Sequence, residues 1–305
     1  MIPGTLERRA IARSFSRVSA GYEAAANLQA MARTELLSRL PHFRLAPQVV
    51  LDLGAGTGAA SPELRRCFPS SLVVAIDLAP AMLVQARSRL GLLERWWDWG
   101  HRRFSCVAAD ASRLPLADGS VDLVFTNLML QWCDDLDVTL AEIRRVLAPN
   151  GLLLCSTFAA GTLQQLRAAW ASVDTAPHVN DFVDLHDFGT ALVRAGFTEP
   201  VLDIDRHLHW YADTRALMNE IRSWGAVNAA RERRRGLTGR RQFAALEAAY
   251  QRQANPRGEL PASWELLYAS AFAAAAPLDM TGDAMESPRE HAVPVSQIAR
   301  RGTPR

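Results

Sequence analysis

The segment "VLDLGAGTG" carries the first residues whose types and spacing could bind a ligand. Asp52 ends an apolar run, and Gly54, Gly56 and Gly58 follow at every second position. With the alanine that follows Gly58, the first two glycines also fit the G-x-G-x-x-[G/A] pattern of loops that hold a pyrophosphate. Glycine lets a loop turn sharply and lets a ligand approach the backbone, because it has no Cβ. The loop alone leaves open whether the ligand is a dinucleotide or another molecule.

Two further carboxylates end the next apolar runs, "SLVVAID" and "FSCVAAD". Asp77 suits a vicinal ribose diol, because one carboxylate can accept a hydrogen bond from both hydroxyls. Asp110 suits the amino group of adenine, although either side chain could also cap a helix or a loop. Together with the glycines they favour a ligand that contains adenosine. The residues predicted to bind it are Asp52, Gly54, Ala55, Gly56, Gly58, Asp77, Leu78, Met82, Asp110, Ala111, Asn127 and Leu128.

Asp52 helps to decide whether the predicted ligand is a dinucleotide or another molecule that contains adenosine. A pyrophosphate is dianionic, and a carboxylate beside it would repel it unless the charge were screened. The same carboxylate suits an ammonium group, which it could hold directly or through water. The residues therefore predict a ligand with an adenosine half and a cationic, amine-bearing half, a description that fits S-adenosylmethionine.

Alternating strands and helices must position these side chains. Apolar runs are predicted as strands at Val49–Leu53, Ser71–Leu78, Phe104–Asp110, within Val121–Leu130, and at Gly151–Phe158. The runs are nearly continuous in apolar residues, which is typical of strands buried on both faces of a parallel sheet. Ligands bind at the carboxyl ends of the strands in such sheets. The pattern therefore predicts an α/β, Rossmann-like fold with the polar residues at one edge.

The flanking segments show weaker patterns. Residues 7–40 repeat apolar side chains at helical spacing, and Leu185–Phe197 reads as a helix that ends at Gly196. Residues 162–172 and two stretches between Ala212 and Arg252 are also predicted as helices. Pro200–Tyr211 alternates like a strand, and a last apolar segment covers Ser263–Ala275.

Composition narrows the class of protein. The net charge is +2 and no run approaches the roughly 20 apolar residues that a membrane span needs. The N-terminal segment lacks an apolar core of signal-peptide type, which predicts a cytoplasmic protein. The four cysteines are far apart, so we expect reduced thiols and no metal. The chain has no lysine, and its densest basic run is "ARERRRGLTGRR" (Ala230–Arg241), which is either a solvated helix end or a docking surface for an acidic partner.

Four segments in order, "VLDLGAGTG", "VVAIDLAPAML", "ADASRLPLADGSVDLVFTNLMLQW" and "AEIRRVLAPNGLLL", resemble the signature segments of class I S-adenosylmethionine-dependent methyltransferases. This resemblance covers about residues 45–160. It implies a seven-stranded sheet with helices on both faces and an antiparallel last strand, and hence two more strands after residue 197.

The flanks are similar to the malonyl-[acyl-carrier protein] O-methyltransferase family of biotin synthesis. The similar segments are "RSFSRVSAGYEAAANLQ", "HVNDFVDLHDFGTALVRAGFTEPVLDID" and "MNEIRSWGAVNAARERRRGLTGRRQF". The Trp-rich segment Leu92–Phe104 departs from the pattern and has no assigned role, and the chain beyond about residue 278 lies outside the resemblance. The resemblance implies an N-terminal helical lid (1–44), a cofactor-binding core (45–160) and a region that completes the sheet and docks the substrate (161–278). Residues 279–305 are predicted to be a disordered tail from their composition.

The implied reaction esterifies the free carboxylate of a malonyl thioester. That carboxylate is already ionised at neutral pH, so no residue is predicted to act as an acid or a base. A fixed cation should select it, and Arg222 is the favoured candidate, with a plain surface residue as the alternative interpretation. The predicted substrate-binding residues are Tyr22, Gln131, Trp132, His178 and Arg222. For Tyr22 and Trp132 plain packing is the alternative, and a lone histidine is more often structural than catalytic.

The resemblance implies an acyl-carrier protein as the partner of the basic run, because acyl-carrier proteins are acidic. The arginines predicted to dock one are Arg231, Arg233, Arg234, Arg235, Arg240 and Arg241. Malonyl-CoA is the alternative partner that carries the same malonyl group. Neither nucleic acid nor membrane is predicted as a partner.

Three other interpretations share the same motifs. A methyltransferase for quinone precursors or other small molecules is the main alternative. A nucleic-acid methyltransferase is disfavoured by the near-neutral charge and by "TNLMLQW" where an Asn/Asp-Pro-Pro-Tyr type motif would stand. A scaffold that binds S-adenosylmethionine without turnover would have the same glycine loop.

Overall fold

The computed structural model describes residues 6–89, 103–226 and 239–275, and its central element is a seven-stranded sheet. The strands are β1 (Val49–Leu53), β2 (Leu72–Asp77), β3 (Phe104–Ala108), β4 (Val121–Asn127), β5 (Leu147–Phe158), β6 (Phe197–Tyr211) and β7 (Leu260–Ala273). Their order across the sheet is β3-β2-β1-β4-β5-β7-β6. The strand order reverses beside β1, so the carboxyl ends of β1 and β4 border a crevice of the kind that binds ligands in open α/β sheets.

Helices connect and cover the strands. The helices are α1 (Arg8–Val18), α2 (Tyr22–Ala25), α3 (Asn27–Ser38), α4 (Ser61–Cys67), α5 (Pro80–Ser88), α6 (Leu136–Val146), α7 (Gln164–Ala171), α8 (Leu185–Arg194), α9 (Thr214–Ser223) and α10 (Arg240–Gln251). Leu40–His42 and Leu130–Trp132 form short 3-10 turns. Among the described residues, no helix has the length and apolar character to cross a membrane.

Strands β1 to β5 are parallel to one another, and β7 runs antiparallel to both β5 and β6. This arrangement confirms the predicted α/β fold and the two further strands after residue 197. The apolar segment Ser263–Ala275, predicted without a structure type, forms most of β7.

The sheet buries both of its faces because neighbouring side chains on a strand point to opposite sides. Val50 of β1 belongs to one core with Leu36 of α3, whereas Leu51 belongs to the other core with Ile143 of α6. All four side chains are fully buried. This two-sided burial explains why the strands read as apolar runs in the sequence.

The N-terminal region is divided into three helices rather than one. Gly21 separates α1 from α2, and Ala26, with a non-helical ψ of 46°, separates α2 from α3. Leu28 and Leu36 of α3 are buried against the sheet. Of the described residues in the predicted lid (1–44), only members of α1 and Tyr22 line the pocket in this crevice. The part of the chain that could act as a lid is therefore α1 together with Tyr22.

Several predictions fall outside the described residues. They concern the Trp-rich residues 96–99, the predicted tail 279–305, and the arginines Arg231, Arg233, Arg234 and Arg235. Arg240 and Arg241 are described and exposed at the start of α10.

Candidate active site

The loop after β1 is shaped by glycines that no other residue could replace without strain. Gly54, Gly56 and Gly58 all have positive φ, at 70°, 55° and 73°. A Cβ at Gly54 would lie 2.3 Å from Met129 Cγ, and a Cβ at Gly58 would lie 2.6 Å from the Cβ of Ala86 on α5. These two glycines are therefore needed for close packing of the loop against the protein itself.

Gly56 differs from the other two glycines because a Cβ there would meet no heavy atom within 4 Å. The space beside it belongs to a pocket of about 850 Å³ at the carboxyl ends of the strands. Nine of the predicted ligand-binding residues line this pocket, which is called the cofactor pocket after that prediction: Gly54, Gly56, Asp77, Leu78, Met82, Asp110, Ala111, Asn127 and Leu128. The predicted polar edge of the sheet is therefore a single cavity.

Asp77 connects the glycine loop to the end of β2. Its Oδ2 accepts a hydrogen bond from the N–H of Gly56 at 2.8 Å, and its Oδ1 accepts one from the N–H of Ala79 at 2.7 Å. Burial raises the pKa of this carboxyl, while the two backbone N–H groups oppose the rise. Each carboxylate oxygen has a second lone pair, so Asp77 can still accept from a diol in the pocket.

Asp110 holds the N-terminal helix in place. Its Oδ1 accepts from the N–H and the hydroxyl of Ser112, and its Oδ2 accepts from Arg8 Nη1 of α1 at 2.7 Å. Arg8 also lines the cofactor pocket. The carboxylate predicted to bind adenine is thus also the anchor of the helix that covers the pocket.

Asn127 and Leu128 form the floor of the cofactor pocket after β4. Asn127 Oδ1 accepts from Ser156 Oγ at 2.8 Å, and its Nδ2 donates to the carbonyl of Gln29 at 3.1 Å. Leu128 has a φ of 51°, a conformation that costs about 1–3 kcal/mol for a residue other than glycine. Its N–H is held by Ser156, which keeps this strained turn at the pocket.

Asp52 lies beneath the glycine loop and does not line the pocket. Its side chain is 2% exposed, and its Oδ2 accepts from Ser61 Oγ at 2.6 Å. Burial raises the pKa of this carboxyl to about 6, although the Ser61 hydrogen bond opposes the rise. Ala55 and Gly58 belong to the glycine loop but do not line the pocket.

Helix α1 and Tyr22 close the cofactor pocket on the outer side. Ile11, Ala12 and Phe15 of α1 line it together with Tyr22. Burial, with the nearby Glu23 and Asp77 carboxylates, raises the pKa of Tyr22 well above its ordinary value, so its hydroxyl stays protonated. A neutral hydroxyl in the pocket can donate to a ligand carboxylate.

A second pocket of about 530 Å³ adjoins the first, and Trp132 lines both. Its other lining residues are mainly apolar: Phe158, Leu163, Leu166, Val179, Phe182, Ile221, Trp224, Ala226 and Trp264, with His178 and Asn180. Phe15 of α1 packs edge-on against Trp132, with ring centroids 5.3 Å apart. One indole ring therefore lies between a pocket that contains carboxylates and a pocket lined mainly by apolar side chains.

His178 and Asn180 supply the polar groups of the second pocket. The His178 ring stacks on Trp170 with centroids 3.5 Å apart, and its Nε2 lies 2.7 Å from Asp174 Oδ1. Asn180 Oδ1 is buried and has no hydrogen-bond partner among the described residues. A buried carboxamide oxygen without a partner is costly, so it marks a position where a ligand group can bind.

The remaining substrate candidates lie outside both pocket linings. Gln131 is 3% exposed, and its carboxamide donates to the Leu128 carbonyl and accepts from Thr157 Oγ1. Arg222 is exposed near the end of α9, and its Nη1 donates to Asn219 Oδ1 at 3.2 Å. Its neighbours Ile221 and Trp224 line the second pocket, so Arg222 lies beside it.

Sequence reasoning missed several residues that line the cofactor pocket, including Arg8, Ala12, Met129 and Cys133. The apolar spacing of α1 could have identified Ile11 and Phe15, but nothing local indicates that Arg8 reaches Asp110, 102 positions away. Burial raises the pKa of the Cys133 thiol to about 12, so it stays protonated and is a poor nucleophile. Among the described residues, no group of three or more His, Cys, Asp or Glu could hold a metal ion.

The fold and the methyltransferase domain family point to the same class of protein. That family matches residues 51–155, the segment that contains the glycine loop, strands β2 to β4 and most of β1 and β5. The structure of YcgJ from Bacillus subtilis is similar over 80% of this chain and 100% of its own, with a TM-score of 0.56 and 15% identity. A putative methyltransferase from Bacillus halodurans is similar over 79% and 99%, with a TM-score of 0.54 and 17% identity. The fold and site define a Rossmann-like methyltransferase.

Relatives of the whole chain define the family more narrowly. The malonyl-[acyl-carrier protein] O-methyltransferase of Xylella fastidiosa is 44% identical over 271 residues, which cover 88% of this chain and 89% of the relative. Proteins of the same name from Methylovorus and Laribacter hongkongensis are 43% and 44% identical over 88% and 86% of this chain, and 89% and 88% of their own. The chain belongs to the malonyl-[acyl-carrier protein] O-methyltransferase family.

Replacing Gly56 with leucine is expected to abolish cofactor binding and to lower stability only by the backbone cost of its positive φ. The new side chain would fill the pocket, and the positive φ costs about 1–2 kcal/mol. Calorimetric titration with S-adenosylhomocysteine and thermal melting would measure both effects. Gly119→Leu is the matched control, because Gly119 has a φ of 61°, a Cβ there would make only an ordinary van der Waals contact with Ala148 Cα at 3.9 Å, and Gly119 does not line the pocket. Equal affinity in the two variants would contradict the assignment of the pocket.

Proposed function

We propose that the chain transfers a methyl group from S-adenosylmethionine to the free carboxylate of a malonyl thioester on an acyl-carrier protein, giving the methyl ester. The observation that carries the proposal is the pair of adjoining pockets with Trp132 as their shared wall. The first has the carboxylates of Asp77 and Asp110 in its lining and suits the cofactor, and the second is lined mainly by apolar side chains and suits the acyl thioester. Membership of the family supports the same substrate, and the ester would then serve biotin synthesis.

The residues present fit S-adenosylmethionine. The open space at Gly56 admits a ligand close to the backbone, Asp77 suits the ribose diol, and Asp110 suits the adenine amino group. Tyr22 suits the carboxylate of the methionine half, because its protonated hydroxyl lines the pocket. Asp52, beneath the loop, lends negative charge to the amine side. When bound, the cofactor supplies an electrophilic methyl group on a sulfonium.

The protein has to orient the malonyl carboxylate and exclude water from it, and it does not have to deprotonate it. A malonyl carboxylate has a pKa well below 7 and is ionised without help. Holding it in line with the reacting centre can lower the barrier by several kcal/mol, and removing its water makes it more nucleophilic. The apolar rings of Phe158, Phe182 and Trp264 provide such a dry surface.

The substrate candidates take different roles in this proposal. Trp132 packs against the malonyl group, and Asn180 and His178 bind polar groups of the chain that carries the thioester. Arg222 lies beside the second pocket, from where it could attract the substrate carboxylate. Gln131 positions the turn after β4 through its bond to the Leu128 carbonyl and does not touch the substrate.

The carrier protein is proposed to approach through basic residues. Exposed Arg240 and Arg241 at the start of α10, with Arg231, Arg233, Arg234 and Arg235 beyond the described residues, would attract its acidic surface. Malonyl-CoA is a second possible carrier of the same acyl group. We propose that the protein works in the cytoplasm and binds neither nucleic acid nor membrane.

Mass spectrometry tests the proposed function directly. Malonyl-carrier protein incubated with the protein and S-adenosylmethionine should gain the mass of one methyl group, and fragmentation in the mass spectrometer should place that mass on the malonyl group rather than on the carrier polypeptide. Acetyl-carrier protein, which lacks the free carboxylate, should gain nothing. Tight cofactor binding without methylation of a malonyl thioester would instead favour a binding scaffold. Methylation of a quinol precursor in its place would favour the small-molecule alternative.

A further inference from the structure

Helix α1 has two faces with different chemistry. Arg8, Ile11, Ala12 and Phe15 line the cofactor pocket. At 100° per residue, these four side chains fall on one side of the helix. The opposite side is free of the pocket and carries the remaining charged residues of α1.

Three arginines form a row on that outer side. Arg9, Arg13 and Arg17 are spaced four residues apart, so they lie along one face of α1. All three are exposed, and none forms an ion pair within the described parts of the chain. Arg13 Nε donates to the Arg9 carbonyl, which leaves the rest of its guanidinium available. We call these three residues the α1 arginine row.

The helix that carries the row is fixed over the site by hydrogen bonds to three separate segments. Arg8 Nη1 donates to Asp110, the N–H of Leu6 donates to Asp134 Oδ1 at 2.8 Å, and Ser14 Oγ donates to the Gly225 carbonyl at 2.9 Å. Phe15 also packs on Trp132, the wall that the two pockets share. A partner bound to the row is therefore held next to both pockets.

We propose that the α1 arginine row is a docking surface for the acidic face of the protein that carries the acyl thioester. This inference rests on the proposed function and adds a second surface to the arginines at residues 231–241. Unpaired arginines suit carboxylates through charge-assisted hydrogen bonds, and a row of like charges raises the association rate of an oppositely charged partner. A membrane is a poorer occupant, because none of the exposed large apolar side chains in the described chain lies on α1.

The test compares two substrates that share the reacting group. Malonyl-carrier protein presents an acidic surface, whereas malonyl-N-acetylcysteamine presents the same malonyl thioester without a protein. The Arg13→Glu/Arg17→Glu variant should raise KM for the carrier substrate about tenfold or more, with kcat within about twofold. The small thioester should be methylated as by the unchanged protein.

Arg44→Glu/Arg66→Glu is the matched control for the change in net charge. Both arginines are exposed and precede β1 and β2, at the edge of the sheet opposite the pocket. The control should leave KM for both substrates within about twofold, since charge far from the docking surface has little effect across a Debye length. A thermal melt of each variant verifies that it is folded.

The salt dependence of the unchanged protein gives a second measurement that needs no variant. KM for malonyl-carrier protein should rise steeply between low and physiological salt, and KM for the small thioester should not. An unchanged carrier KM in the α1 variant, or a rise equal to that of the control, overturns the docking surface while leaving the proposed function intact. Absence of methyl transfer to either substrate by the unchanged protein would overturn the proposed function itself. Anionic vesicles are added to the assay with the small thioester as a last test. If they inhibit its methylation only when the α1 arginine row is intact, a membrane role is supported and the docking proposal is overturned.

Discussion

The Asp77→Ala variant is expected to bind S-adenosylhomocysteine about a hundredfold more weakly than the unchanged protein. The substitution removes the acceptor for the ribose diol. It also removes the acceptor for the N–H groups of Gly56 and Ala79, so the side-chain hydrogen bond between the end of β2 and the glycine loop is lost. Calorimetric titration measures the affinity, and thermal melting measures the loss of stability.

Asp122 provides a matched control at the other edge of the sheet. Its Oδ2 accepts from the backbone N–H groups of Gln48 and Val49, at 2.7 and 2.9 Å, in the same manner as Asp77. Asp122→Ala should therefore lower stability by a similar amount, about 1–3 kcal/mol, without lowering cofactor affinity.

A cofactor analogue without the ribose 2′-hydroxyl separates the two roles of Asp77. The unchanged protein should bind the 2′-deoxy analogue much more weakly than S-adenosylhomocysteine. The Asp77→Ala variant should discriminate little between them, because the interaction is already lost. Full discrimination in the variant would show that another residue binds the diol.

Replacing Asp52 with asparagine is expected to stabilise the ligand-free protein at neutral and alkaline pH. Burial raises the pKa of Asp52 from 3.8 to about 6, so the folded state holds a proton that the unfolded state releases between these values. Stability therefore falls as pH rises from about 4 to 6, and the charged form costs the folded state about 3 kcal/mol above that interval. Asparagine keeps the shape and can still accept from Ser61, but it carries no charge.

Thermal melts across the pH range measure this effect. The difference in free energy of unfolding between Asp52→Asn and the unchanged protein should be small near pH 4 and should grow to a plateau above pH 6. A difference that does not change with pH would mean that Asp52 is not buried in its charged form. The Asp52→Asn variant should also bind the amine-bearing cofactor more weakly, because the negative charge beneath the loop is gone.

The positions of the central strands β1, β2, β4 and β5 were predictable because these strands are buried on both faces. Such burial demands apolar side chains at consecutive positions, and the run "VVLDL" has the same bounds as β1. The polar residues at the strand ends were predictable for a related reason. Parallel strands place their carboxyl ends at one edge, so Asp77, Asp110 and Asn127 had to lie near one another.

The direction in which a side chain points was harder to predict. The sequence places Asp52 directly before the glycines, yet its carboxylate turns inward to Ser61 rather than into the pocket. Gln131 follows β4 as predicted, but Thr157 of β5 and the Leu128 carbonyl occupy both ends of its carboxamide. These orientations depend on partners from other elements, which local spacing does not reveal.

The second pocket was the least predictable part of the site. Its rings come from β5, α9, β7 and the segment before α8, so residues such as Phe158 and Trp264 meet from positions more than a hundred residues apart. Each of them reads alone as an ordinary core residue. Only the fold brings them together beside Trp132.

The position of β7 between β5 and β6 fixes when the sheet can be completed during synthesis on the ribosome. Strand β6 has β7 as its neighbour in the sheet, yet β7 is made some fifty residues later, at Leu260–Ala273. Until that segment emerges, a nascent chain holds the edge of β5 and the whole of β6 without their final partner. Open strand edges recruit other chains, and β6 also exposes Val201 and Trp210. A chain truncated before β7 is therefore expected to aggregate rather than to leave a smaller folded enzyme.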